Sequence, residues 1–278
     1  IKTNRRSFIF KQSRPYVQKY QDIPAPIERI DVEYSFYNTT SKIKSKDHFP
    51  KIINYTKEGF FMIIEDLGVS EDYSSIYKKR KIDKASIIKL AKILKDIHSC
   101  KYNVKYPLNS ELKKLNHQHI FILPFIIENG FSLDSVQPGL ENLAHSFINN
   151  ESLKNKSIIV GDRYLKKGST LLHGDFYPGS WIQNDKEIFI IDPEFSFIGD
   201  LEFDLGVFIA HVIITTLEEK YLNDIINYYS RSVDRELVKH YTGFEVIRRI
   251  IGLAQLPINL SLDEKEKLLK FSKNLLLN

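Results

Sequence analysis

The sequence predicts an α+β fold of two lobes, with a small strand-rich N-terminal part and a larger helical C-terminal part. Two observations carry this prediction. Short aromatic and β-branched runs cluster in the first 65 residues, and helical patterns fill most of the rest around one central hairpin. Of 278 residues, 42% are hydrophobic and 27% charged, enough to build a sizeable core and to argue against disorder. The boundary between the lobes is expected near residue 67, giving segments 1–67 and 68–278.

Residues 7–12, Ser-Phe-Ile-Phe-Lys-Gln, read as a strand. Pro24 and Pro26 precede Ile27, Ile30, Tyr34 and Tyr37 at helical spacing. Proline costs a helix little in its first turn, so a helix is expected to start there. Residues 59–64 read as a second strand, and Glu65-Asp-Leu-Gly68 as a turn or connector. Ile87, Leu90, Ala91 and Leu94 recur at i, i+3, i+4 and i+7 and predict a helix over 85–98. Between 101 and 168, Pro107, Pro124 and Pro138 break the chain into helices and loops. Short strands follow at 170–172, 181–183 and 187–191, the last two about the turn Asn184-Asp-Lys186. Helical patterns over 204–217, 233–253 and 263–277 end the chain.

Forty basic and 35 acidic side chains leave a net charge of +5, too weak over this length to call for nucleic acid or a membrane surface. The apolar stretch at 206–217 is shorter than the roughly 18 residues of a membrane span and contains His211. One cysteine, Cys100, excludes an intrachain disulfide framework and fits a reducing, cytoplasmic compartment.

The densest chemical signal is His173-Gly-Asp-Phe-Tyr-Pro-Gly-Ser180, followed by Ile191-Asp-Pro-Glu194. Asp192 and Glu194 stand two apart at the end of a strand, where alternation turns both to one side. Pro193 keeps Asp192 out of the right-handed helical region. Two carboxylates held that close repel unless a cation sits between them, and an oxygen-only set suits Mg²⁺ better than zinc. The plain alternative is an exposed acidic turn. Asp175 adds a third carboxylate on a nearby loop, placed to orient or deprotonate an attacking hydroxyl. Ser180 adds a neutral oxygen for the metal. His173, just before a glycine, is better read as a hydrogen-bonding support than as a titrating catalyst.

These blocks resemble the aminoglycoside phosphotransferase-like small-molecule kinases, which share the protein-kinase fold. The wording of residues 173–182, 191–199 and 203–206 is similar, more narrowly, to the methylthioribose kinase family, which has Ser where most of the superfamily has Asn at the position of Ser180. The resemblance implies that Lys11, in Phe10-Lys-Gln-Ser-Arg-Pro-Tyr-Val17, reaches the phosphates of ATP with Glu33 as its partner. Glu33 also sits on the apolar face of its helix, where an unpaired carboxylate would be costly. Met62-Ile-Ile-Glu-Asp-Leu67 resembles the hinge, whose backbone at Glu65 and Leu67 would meet adenine. Asp204 resembles the acid that opens a long helix and braces the catalytic loop, a role compatible with simple N-capping. Arg248 and Arg249, about 100° apart on a helix, cannot both enter one apolar face cheaply. The resemblance makes them sugar contacts.

The implied reaction transfers the γ-phosphoryl of ATP, with Mg²⁺, to the anomeric hydroxyl of methylthioribose in methionine salvage. Asp175 would act on that hydroxyl, and Ser180, Asp192 and Glu194 would hold the metal. The implied partner is a small sugar, with no nucleic acid or membrane; the family's dimers leave a homodimer open. The chain departs from the family at Tyr177 and Gln255, where histidines are usual. No glycine precedes Lys11, so Ile1 is expected to lie inside the N-terminal lobe, after the place of a Gly-rich hairpin over ATP. Two rivals stay open: a kinase of this fold for another small hydroxylated acceptor, and a non-catalytic, pseudokinase-like binding protein.

Overall fold

A computed structural model describes residues 7–17, 20–185 and 187–278; the start of the chain at Ile1 and Lys186 of the expected turn lie outside them. Strand β1 (Phe8–Gln12) is followed by a two-stranded ribbon of β2 (Tyr16–Val17) and β3 (Tyr20–Pro24). Helix α1 (Arg29–Thr40) and strands β4 (Ile52–Thr56) and β5 (Phe61–Glu65) come next. β5 lies between β1 and β4 and is antiparallel to both.

Three expectations change here. Pro24 ends a strand instead of opening a helix: it pairs with Tyr16 at the edge of a two-stranded ribbon, where a missing N–H is tolerated. The helix starts later, at Arg29, after a turn in which the Arg29 N–H reaches the Pro26 carbonyl at 3.4 Å. Glu65 belongs to the strand and not to the turn. β4 gave no readable alternation because a register irregularity between Ile52 and Asn54 breaks the period of two.

The C-terminal part opens with β6 (Glu71–Asp72), α2 (Ser75–Lys79) and α3 (Lys84–His98), the last capped by the Asp83 side chain on the Ser86 N–H. The region broken by prolines holds α4 (Ser110–His117), a π-helical turn at Gln118–Ile122, α5 (Leu140–Ile148) and α6 (Glu151–Leu165). α6 escaped the pattern because it buries Ser157 and Gly161 while Ile158 and Ile159 face outward. Then come β7 (Thr170–Leu172), the hairpin β8 (Trp181–Gln183) and β9 (Ile188–Ile190), and β10 (Phe197–Gly199), which pairs antiparallel with β7. The chain ends with α7 (Leu201–Thr216), α8 (Tyr221–Tyr229), α9 (Arg235–Ile251) and α10 (Leu262–Leu277).

α7 is the spine of this part. Every residue from 203 to 215 is buried, as expected of a helix apolar on all sides. It crosses α9 closely because Gly206 has no Cβ; one added there would stand 2.6 Å from the Tyr241 Cβ. Phe208 of α7 meets Trp181 of β8 at 5.3 Å between ring centroids and Phe176 at 5.8 Å. Burial of each such ring stabilises the fold by roughly 1.5–3 kcal/mol. The loop that carries Asp175 is thus anchored by its own aromatic neighbour. Among the described residues no helix is long and apolar enough to cross a membrane.

Lys113 of α4 is buried and donates to the carbonyls of Leu165 and Lys166 at 3.2 and 2.9 Å, closing the C-terminal end of α6. Its ammonium lies 4.4 Å from the Phe197 ring centre. Burial draws its pKa down from 10.5 to about 8, so between these values the unfolded chain binds more protons and stability rises with pH. Urea unfolding from pH 7.5 to 10.5 should therefore show a rise that Lys113→Met lacks. Parallel pH curves for the two proteins would contradict this.

Candidate active site

Lys11 sits in β1 opposite Met62 of β5, and its ammonium reaches across to two carboxylates. Nζ lies 2.6 Å from Glu33 Oε1 on α1 and also contacts the carboxylate of Asp192. Burial alone would lower the Lys11 pKa, but Glu33 and Asp192 together outweigh it and raise the value, so the ammonium stays charged. Glu33, 2% exposed, has a cationic partner where the apolar face of α1 would otherwise have left it alone.

Asp192 does not continue the strand. Its φ of 57° and ψ of 50° are left-handed, and Pro193–Phe195 follows as a 3₁₀ turn. The following proline disfavours the right-handed region, and aspartate tolerates the left-handed one. Strand alternation therefore does not describe Asp192 and Glu194. Instead each is held by a cation of the N-terminal part, Asp192 by Lys11 and Glu194 by Arg29 at 3.1 Å. The Asp192 N–H also reaches the Tyr37 hydroxyl at 3.2 Å. Burial raises the Glu194 pKa against the pull of Arg29 and Lys11, and the charges of Asp192 and Asp175 act in the same direction as burial. Among the described residues no set of three or more His, Cys, Asp or Glu side chains is gathered as a metal cluster.

Asp204 organises the loop after β7. It lies in the first turn of α7, whose N-cap position belongs to Asp200, so N-capping is not its role. Its two oxygens accept the N–H groups of His173 and Gly174 at 2.6 and 2.9 Å, and the His98 Nε2 stands 3.1 Å away. His173 is fully buried, and burial lowers its pKa, so the ring is neutral. Its Nε2 meets the Ile191 carbonyl at 3.0 Å and its Nδ1 faces the Asp175 N–H at 3.3 Å, a pattern that assigns the proton to Nε2. Gly174 has φ of +85°, and a Cβ there would stand 2.1 Å from the Phe195 carbonyl oxygen. Only glycine fits.

Asp175 projects from this loop toward α9. Its Oδ1 is buried and has no hydrogen-bond partner; Arg249 Nη2 stands 3.6 Å away. Burial raises the Asp175 pKa, with Arg249 and Arg248 opposing. Ser180 Oγ donates to the Asp175 carbonyl at 3.0 Å. Tyr177 lies beneath the Arg249 guanidinium, 5.0 Å from ring centre to Cζ. Gln255 Nε2 donates to the Gly252 carbonyl at 2.6 Å. The Leu67 carbonyl accepts from Asn184 at 3.1 Å, and Glu65 pairs with Phe8 at the end of β5.

Both arginines are buried, although the two cannot share one apolar helix face cheaply. Glu245, one turn earlier on α9, accepts from Arg249 Nε at 2.6 Å and from Arg248 Nη1 at 3.2 Å. The i, i+3 and i, i+4 spacing of Glu245 to the pair was the available signal. His211, Tyr77 and Arg29 also belong to this constellation, and their partners lie far away in the chain.

A family model described as the phosphotransferase enzyme family matches residues 2–241. The chain belongs to that family. Among curated relatives of this phosphotransferase, a methylthioribose kinase of Exiguobacterium sibiricum is 25% identical, with 91% of this chain and 76% of the relative aligned. A methylthioribose kinase of Bacillus cereus is also 25% identical, covering 98% of this chain and 80% of its own. The crystal structure of choline kinase LicA from Streptococcus pneumoniae matches 99% of this chain and 87% of that one, with a TM-score of 0.53 at 15% identity. A Plasmodium vivax ethanolamine kinase gives 0.52 at 16% identity, covering 98% and 75%. These structures share the two-lobed kinase-like α+β fold expected from the sequence.

Asp204→Ala should strip three buried donors of their acceptor and cost roughly 3–5 kcal/mol of stability. Urea unfolding monitored by circular dichroism measures it, and a cost below about 1 kcal/mol would contradict the bracing geometry.

Proposed function

We propose that this phosphotransferase is an ATP-dependent small-molecule kinase whose acceptor is methylthioribose or a sugar of that class. One observation carries the reading. Among the described residues five buried side-chain polar atoms lack a hydrogen-bond partner, and three of them belong to Asp175, Arg248 and Gln255. Buried polar groups are nearly always paired, so two acceptors and one donor without partners at the arginine pair suit a site completed by a hydroxylated ligand. The curated relatives named for methylthioribose support the same class.

Charge supports a neutral acceptor. Arg248 and Arg249 face Glu245 and Asp175, so this end of the site is balanced, and His211 is neutral because burial lowers it to about 4. Choline and the aminoglycosides are cations and call for an acidic or aromatic cage.

In the proposed reaction the acceptor hydroxyl forms a bond to the γ-phosphorus, the β–γ bridging bond breaks, and ADP leaves. Asp175 orients the hydroxyl through its carboxylate and takes up its proton. Burial raises the Asp175 pKa, which makes it a better proton acceptor than an exposed aspartate. Lys11, fixed by Glu33, holds the phosphates, and the backbone from Glu65 to Leu67 meets adenine. Asp204 and His173 keep the loop in place, while Arg248 and Arg249 grip the sugar.

A divalent cation fits the donors present. Asp192 and Glu194 offer oxygen only, and the half-exposed Asp192 side chain leaves room for the water a hard cation retains; a bound cation would share these carboxylates with Lys11 and Arg29. Ser180 Oγ spends its proton on the Asp175 carbonyl and keeps its lone pairs. These three residues would hold Mg²⁺, which when bound neutralises charge on the phosphates. Catalysis by the chain itself is then positioning and electrostatics.

Coupled ADP release with methylthioribose tests the reading. Asp175→Asn should lower kcat by roughly 10²–10⁴-fold with Mg·ATP affinity retained. Unchanged turnover in that variant would overturn the mechanism, and turnover only with a cationic acceptor would overturn the substrate class.

A further inference from the structure

Glu245 is 1% exposed and is surrounded by donors. Besides the two arginines, its Oε1 lies 3.0 Å from His211 Nε2, and the Tyr77 hydroxyl meets His211 Nδ1 at 2.7 Å. A neutral His211 with its proton on Nε2 donates to Glu245 and accepts from Tyr77. The carboxylate is thus locked from several elements at once: α2 through Tyr77, α7 through His211, and α9 through the arginines.

Arg249 is pinned as a result. Nε is bound to Glu245 at 2.6 Å, Nη1 lies 3.4 Å from the Ala254 carbonyl, and the face of the guanidinium rests over Tyr177. Only Nη2 points at Asp175, and its 3.6 Å separation is beyond hydrogen-bond reach. A guanidinium free to move would close that gap, since paired Arg–carboxylate bonds are among the strongest side-chain contacts.

We propose that Glu245 is a positioning residue that holds Arg249 off Asp175, so that the Asp175 carboxylate is not tied up in an arginine pair and can act on the acceptor hydroxyl. The inference rests on the kinase reading above and adds to it a competition between two carboxylates for one arginine. Without the Glu245 charge, Arg249 turns to Asp175, pairs with its carboxylate and makes it a poorer acceptor of the hydroxyl proton. The loss falls on the chemical step and leaves nucleotide binding intact.

Two double variants test this, because each removes one buried positive and one buried negative charge. Glu245→Gln with Arg248→Met leaves Arg249 facing Asp175 alone; Glu245→Gln with Arg249→Met leaves Asp175 open. The first should lower kcat by roughly tenfold or more. The second should keep the higher kcat of the two and show a raised acceptor KM. Mg·ATP affinity by calorimetry, equal to wild type in both, verifies the fold. A merely structural Glu245 affects the two variants alike, so equal kcat values, or the reverse order, would overturn the proposal. If either variant fails to bind Mg·ATP, Glu245→Asp decides, since it keeps the charge. It should retain kcat within about tenfold, and a larger loss overturns the proposal. Wild-type protein without turnover would remove the kinase reading and this role with it, whereas active wild type with indistinguishable double variants removes this role alone.

Discussion

The Lys11 ammonium ties the two parts of the molecule together at the site. It draws Glu33 from α1 and Asp192 from the turn after β9 to one point. Three segments distant in the chain must be correctly folded before that contact exists. Removing Lys11 leaves the buried Glu33 carboxylate without its cation, which is costly. Arg29 and Glu194 repeat the arrangement one turn away, again joining α1 to the segment after β9. The geometry of the acidic turn therefore depends on the N-terminal part, although the turn belongs to the helical part.

The opposite wall is built differently. Asp175 is fixed through its backbone, by His173, by Ser180 and by the Asp204 carboxylate beneath the preceding loop residues. Its side-chain Oδ1 is buried without a hydrogen-bond partner. Burial makes that oxygen more basic, and the nearby arginines keep the effect in bounds. A rigid backbone with an open carboxylate is the arrangement expected where a group must act on a ligand, since satisfied networks rigidify and open atoms await partners.

Much of this was legible in the chain. α7, α9 and α10 announce themselves through long apolar or amphipathic patterns, and the hairpin of β8 and β9 through its turn residues. The acids proposed for the site drew notice through their spacing, although strand alternation does not describe Asp192 and Glu194, and Lys11 and Glu33 through a resemblance extending over nearly the whole chain. What stayed hidden has physical causes. α6 mixes Ser157 and Gly161 into its buried face and exposes Ile158 and Ile159, so its apolar residues alone do not mark that face. The left-handed Asp192 follows from local competition between proline and strand geometry, which spacing does not reveal. Arg29, Tyr77 and His211 join the site through contacts between distant segments, and no local pattern marks them.

The central claim is that the charge on Lys11 organises a nucleotide site shared by both parts of the molecule. Calorimetric titration of Mg·ATP into wild-type protein and Lys11→Met tests it most directly. The account predicts binding to wild type and at least roughly tenfold weaker binding to the variant, the scale of one charge-assisted hydrogen bond. Equal affinity for the two proteins, or no binding to wild type, would contradict it.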